Sequence, residues 1–175
     1  FLTYFEEARL RWFATLPEAS HVWALAVDRA GTGLFAATGP EGKVFHIEPS
    51  GTSSVYYRSS ESHMVSLALA ENGDLYAGSS GKGQLYRITG PGRATVVADL
   101  PGEEVKAIGV AKNVVWAIAN EYGEPPEPPK RSPAAGRTPA GPTQAPRPKP
   151  GKGALFRFDA QGRAERMMKH DDTHY

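Results

Sequence analysis

An antiparallel, all-β fold built from repeated four-stranded sheets is what the sequence predicts, and three observations carry that prediction. The first is a period: Val22, Met64 and Val105 begin three similar segments 42 and 41 residues apart, and Leu34 and Leu75 are 41 apart. The second is strand-type alternation of large and small residues within each segment, bounded by glycine turns. The third is composition. The 175 residues are 40% hydrophobic and 22% charged, close to soluble globular averages, and no apolar run reaches the 18 or so residues of a spanning helix.

Taken in chain order, Leu2, Phe5, Trp12, Phe13 and Leu16 could lie on one helix face, but repeat register favours a strand. Ala14-Thr15-Leu16-Pro17 matches Ala98-Asp99-Leu100-Pro101, so residues 10–16 are expected to be the outermost strand of a preceding repeat. The first full repeat runs over 22–51, the second over 64–92. The third starts at 105–120, breaks, and resumes at 151–162. In the first strand of each, Leu25, Leu67 and Ile108, then Val27, Leu69 and Val110, alternate with Ala24, Ser66 and Ala107, then Ala26, Ala68 and Gly109. That pattern suits a strand near a convergence axis, where one face has little room. The second strand carries Phe35, Tyr76 or Trp116. The third carries Val44 to Ile47, Leu85 to Ile88 or Leu155 to Phe158, with His46, Arg87 and Arg157 as its polar column. Outermost strands follow at about 54–59, 94–100 and 164–170. A four-stranded unit of this period is a blade of a β-propeller. Tyr86 and Phe156 are expected between neighbouring sheets.

The break in the third repeat is compositional. Residues 123–150 hold ten of the fifteen prolines, no aromatic residue, and five basic against two acidic side chains. Such a stretch cannot bury enough surface to offset its ordering entropy, and a disordered, extended loop is expected. The chain therefore divides into 1–122, the 123–150 insertion within the third blade, and 151–175. Thr173-His174-Tyr175 repeats Ser20-His21-Val22 and Ser62-His63-Met64, so another blade is expected to begin there. Three blades and one outer strand cannot close a ring. With Phe1 in place of an initiator Met, the chain is expected to be part of a larger propeller, or else to self-associate. Open blade faces lined by residues such as Val44, Phe45, Met167 and Met168, together with the inner-strand apolar rows, are the expected contact surface.

The units L-[FY]-A-[AG]-[TS] at 34–38 and 75–79, and [VL]-[FY]-x-I at 44–47 and 85–88, resemble those of bacterial propellers of the NHL, streptogramin-lyase-like and WD40-like group. The Trp-Asp dipeptide of typical WD40 blades is missing, which points to the NHL-like side. The resemblance implies a propeller fold. It leaves function open, because such folds host binding modules and unrelated enzymes.

For chemistry, the zero cysteines exclude disulfides, thiol nucleophiles and cysteine zinc sites. A net charge of +1 gives no general footprint for nucleic acid or an anionic membrane. The glycine runs 39–42, 78–83 and 151–153 lie between strands and read as hairpin turns needing positive φ, not as phosphate loops. His21, His63 and His174 share one repeat position at the entry to the innermost strand, and Glu104 holds it in the third copy. The resemblance places that position on the rim of the central channel. Imidazoles and a carboxylate converging there could bind a divalent metal or move a proton. The structural reading is that they hydrogen-bond the loops joining adjacent blades. The expectation is a non-catalytic binding or scaffold module displaying its channel face and the proline loop to a protein or small-molecule partner. The alternative is a metal-assisted lyase or lactone hydrolase of the streptogramin-lyase or gluconolactonase type. Soluble placement is expected; periplasm, exterior and cytoplasm stay open.

Overall fold

A computed structural model describes residues 2–6, 9–31, 33–122 and 151–170, with side chains over 13–31, 33–122 and 151–168. Fourteen strands are present among the described residues, and no helix. Blade one comprises β3 (His21–Val27), β4 (Leu34–Gly39), β5 (Lys43–Ile47) and β6 (Ser53–Arg58). Blade two comprises β7 (His63–Leu69), β8 (Leu75–Ser80), β9 (Gln84–Gly90) and β10 (Arg93–Asp99). Blade three comprises β11 (Glu104–Ala111), β12 (Val114–Glu121), β13 (Lys152–Phe158) and β14 (Ala164–His170). Each is an antiparallel meander paired in chain order, and one bridge, Glu104 with Ser80, links blades two and three. The chain is an arc of a β-propeller.

The N-terminal segment corrects the single outer strand expected at 10–16. It is a hairpin, β1 (Leu2–Glu6) and β2 (Arg9–Ala14), equivalent to the third and outer strands of a preceding blade. Leu2-Thr3-Tyr4-Phe5-Glu6 repeats Val44-Phe45-His46-Ile47-Glu48 at 42 residues, a match too short to find without the pairing. A β-bulge fixes the equivalence. The pairing of outer with third strand slips by one residue at Phe13, Tyr56, Val97 and Met167. A second bulge recurs in the inner strands, at Trp23, Val65 and Lys106. Each extra residue sharpens the local twist that lets flat sheets fan around an axis.

Strand alternation gives every blade a leading face toward the preceding blade and a trailing face toward the next. Blade one's trailing Phe35, Ala37 and Val44 pack on blade two's Met64, Leu75, Ala77, Tyr86 and Ile88. Blade two's Leu85 joins Val105, Val115, Ala117, Phe156 and Phe158 of blade three in the next cluster. Ala14 and Leu16 cover Ala36, Phe45 and Ile47. Tyr86 and Phe156 are buried as expected, and so are Val44 and Phe45, which correct the expected open faces. Val44 lies under blade two, and Phe45 under the segment that follows β2. Met167 and Met168 are exposed.

Close approach sets the small positions. A Cβ on Gly78 would stand 2.7 Å from the Val105 carbonyl and 2.4 Å from Ser66 Oγ, which donates to that carbonyl at 2.6 Å. The polar column is paired inside each blade: His46 with Asp28 at 3.5 Å, Arg87 with Asp74, and Arg157 with Glu165 at 3.5 Å.

Two of the three glycine turns fit expectation, since Gly42, Gly81 and Gly83 have positive φ. The third does not, because Lys152 and Gly153 are strand residues paired with Glu121 and Asn120. Hydroxyls lock the first two turns: Thr38 Oγ1 donates to the Lys43 carbonyl at 2.9 Å, and Ser79 Oγ accepts from Gln84 N–H at 3.0 Å. The equivalent Ala119 can do neither. The 123–150 insertion, expected to be disordered, and the blade start at 173–175 lie outside the described residues.

Candidate functional site

His21, His63 and Glu104 are the first residues of β3, β7 and β11. Each pairs with the end of its own blade's second strand, at Gly39, Ser80 and Asn120. The latter two also abut the preceding blade. Glu104 bridges to Ser80, and His63 lies so close to Gly39 that a Cβ there would come within 1.9 Å of its Nδ1. The adjoining backbone is tied in the same way, by Gly42 N–H to the Ser62 carbonyl and Gly81 N–H to the Glu103 carbonyl, both at 2.7 Å. His63 and Glu104 thus stand where each blade's entry seals against its predecessor. The sealing groups emerge on the face that holds the turns between second and third strands.

Two environments occupy this face. In the first, His21 stacks on Trp23 with ring centroids 5.1 Å apart and planes 15° apart. His63 meets both rings edge-on, at 6.2 Å from His21 and 5.6 Å from Trp23. Trp23 Nε1–H donates to His63 Nδ1 at 3.2 Å. A neutral imidazole that accepts at Nδ1 carries its hydrogen on Nε2. Metal-ligating histidines usually show the reverse polarity, donating from the non-ligating nitrogen to an oxygen acceptor.

In the second environment Glu104, 5% exposed, is held within its own blade. The Tyr122 hydroxyl donates to its Oε2, and Lys106 Nζ stands 3.5 Å from its Oε1. Burial, then the hydrogen bond and charge of Glu104, push the Tyr122 hydroxyl up to about 12. A buried carboxylate needs such partners, because an isolated charge there would be costly.

The structure therefore brings His21 and His63 together and keeps Glu104 with Tyr122 and Lys106. His174 lies outside the described residues. Among those residues no group of three or more His, Cys, Asp and Glu side chains could hold a metal ion. Sequence reasoning missed Trp23, Lys106 and Tyr122. Trp23 and Lys106 follow the rim residues by two positions and share their face, a signal the sequence carries. Their place on a bulge does not show without the pairing. Tyr122, last before the insertion, gives no sign of its reach.

A second cluster of charge stands nearby. Lys43, 2% exposed, hydrogen-bonds Glu18 in the loop leading to β3, and that bond holds the Glu18 carboxyl below its usual range. Glu61, buried in the loop leading to β7, accepts from Lys82 N–H at 3.2 Å and faces Lys82 Nζ at 3.3 Å. Loop carboxylates thus clamp the inter-strand turns on this face.

No family model matches the chain, and no curated protein matches it. Among solved structures, a protein provisionally assigned as a gluconolactonase aligns with 86% of this chain and 50% of its own, at 16% identity and a TM-score of 0.54. The tricorn protease aligns with 85% of this chain and 22% of its own, at 12% identity and a TM-score of 0.44. The chain spans half the length of the first and less than a quarter of the second. The first likeness shows the fold, an all-β propeller, and at this identity nothing finer.

Proposed function

We propose that this chain is a binding or scaffold module of a β-propeller, of the NHL-like kind, that presents its channel rim to a protein or small-molecule partner. The observation that carries the reading is the pairing of the rim groups with one another. His63 Nδ1 is taken by the Trp23 indole, and both Glu104 oxygens are engaged by Tyr122 and Lys106. What the rim offers a ligand is the indole of Trp23, 48% exposed, beside His21. A flat apolar surface with a polar edge is recognition chemistry, in which aromatic residues supply contact area at little entropic cost.

The second reading is a metal-assisted lactone hydrolase or lyase. The fold likeness to the provisionally assigned gluconolactonase supports it. It requires His21, His63, Glu104 and His174 to converge on one divalent cation. Elemental analysis and calorimetric titration of the chain with Zn²⁺, Mn²⁺ and Ca²⁺, alongside a lactone hydrolysis assay, separate the two. The binding reading expects no stoichiometric metal and no turnover. One bound metal per chain, with hydrolysis abolished by His21→Ala or His63→Ala, would overturn it.

A further inference from the structure

One column of aromatic rings closes the wedge between blades one and two, and the same column leaves the wedge between blades two and three open. In blade one, Phe35 and His46 are cross-strand partners, and Tyr56, on the bulge of β6, stands against both. Ring centroids lie 4.8 Å apart for Phe35 and Tyr56, 4.9 Å for Phe35 and His46, and 6.2 Å for His46 and Tyr56. Phe35 is buried beneath them. Blade two keeps the register, with Tyr76 opposite Arg87, but Val97 holds the bulge position of Tyr56. With an isopropyl group where blade one has a phenol, Tyr76 is only partly buried. A cleft of about 320 Å³ remains, walled by Tyr76, Arg87 and Val97 of blade two and Val110, Val115 and Phe158 of blade three. That reaches the size of small-molecule sites, which begin at about 300 Å³. Asn72, Asn113 and Asp159 line it from the turns between first and second and between third and fourth strands, so it opens on the face opposite the rim.

We propose that this cleft binds a neutral phenolic ligand, whose ring takes the place between blades two and three that Tyr56 takes between blades one and two. The walls set the shape. Tyr76 can receive an inserted ring edge-on, as Phe35 receives Tyr56 with planes 62° apart, and the valines bound it on the other sides. The charges set the class. Arg87 donates to Asp74 Oδ2 from Nη2 and, at 2.8 Å, from Nε, while Asp159 is held by Arg163 Nε at 2.7 Å. Each charge is thus matched by its neighbour, and a neutral ligand leaves both pairs intact. Arg87 keeps Nη1 for a ligand oxygen, and Asn113 brings an amide that both donates and accepts, which together suit a hydroxyl on the ring. The cleft lies apart from the rim, and the inference stands whether or not the rim binds a partner.

The probe is 4-methylphenol, titrated into the full chain with the valine methyl groups followed by nuclear magnetic resonance. Saturable one-to-one binding is expected below about 20 mM, a modest affinity for a ligand of this size, with shifts centred on Val97, Val110 and Val115. Val97→Tyr, which rebuilds blade one's arrangement, should weaken binding at least tenfold. Val96→Tyr, which adds the same ring at an exposed neighbouring position, should leave it unchanged. Benzoate, a charged ring, and cyclohexanol, a hydroxyl on a ring that is not flat, should each bind the native chain at least fivefold more weakly. Near-ultraviolet circular dichroism verifies the fold of both variants, and the shifts and ligand comparison decide on the native chain alone. Absence of saturation, shifts centred elsewhere, equal binding of benzoate or cyclohexanol, or binding by a folded Val97→Tyr chain at native strength would overturn the proposal.

Discussion

The inner strands β3 and β7 carry the same alternation of large and small residues, yet one is half bare and the other covered. Leu25 and Val27 are 49% and 55% exposed in β3, while Leu67 and Leu69, at the same positions in β7, pack against the cluster between blades one and two. Nothing in the strands' own sequences accounts for this. β7 has blade one's Ala24, Ala26 and Ala37 against its leading face, whereas among the described residues the leading side of blade one is covered only at its outer strands, by Ala14 and Leu16. Burial in a blade is thus a property of its neighbour, as expected of an architecture in which each unit contacts only the next.

The largest expected effect sharpens that contrast. Phe156→Ala removes a ring packed between blades two and three and should cost about 3–5 kcal/mol in urea unfolding. Leu25→Ala should change stability by no more than about 0.5 kcal/mol, as an exposed substitution. Equal costs would mean that β3 is covered after all. Next in size is Gly78→Ala, whose methyl would collide with the Val105 carbonyl and Ser66 Oγ, at an expected cost of about 1–3 kcal/mol. Gly109→Ala, in an inner strand with nothing within 4 Å of where the added methyl would sit, should lie well below that. A reversed order would break the assignment of leading and trailing faces.

The rim gives a pH-dependent contrast. Tyr122 ionises near 12 in the folded chain, against 10.0 for an unperturbed tyrosine. A raised folded value stabilises the fold fully below about pH 10, and this contribution is lost as pH climbs toward about 12. Ultraviolet titration should show Tyr122 among the late tyrosines, with Tyr57, Tyr76 and Tyr86, which burial also pushes up, and Glu104→Gln should move Tyr122 down, since both the hydrogen bond and the charge act upward. His21→Ala should leave it in place.

A small effect is also expected at the insertion. The β12–β13 ladder ends at Glu121 with Lys152, so deleting 123–150 leaves Tyr122-Gly151 as a two-residue hairpin loop. Loop-closure cost grows slowly with length, so stability should shift by about 1 kcal/mol or less. A melting shift beyond ten degrees would mean that the segment contributes structure of its own.

The propeller fold was legible because its signals are periodic. Glycine turns, the Phe35 and Tyr76 column and the large and small alternation recur at a fixed spacing and imply strands directly. The rim column was also legible, since His21, His63 and Glu104 share one repeat position. Its partners were not. The Trp23 to His63 bond crosses between blades over 40 residues, and the bulge that sets Trp23 apart arises from pairing. The N-terminal hairpin escaped notice because five residues are too few to establish a repeat by themselves. Where a turn was expected at 151–153, Lys152 and Gly153 are strand because β12 and β13 pair beyond the point where blades one and two turn, and Ala119 has no hydroxyl to close a tight turn there.

Hydroxyl-radical footprinting of the native chain tests the central claim most directly, because Leu25 and Leu67 are the same residue type at the same repeat position. If a neighbouring blade, and not the blade's own sequence, sets burial, side-chain oxidation at Leu25 should run several-fold faster than at Leu67 in dilute chain. Equal oxidation rates at the two leucines would contradict the account.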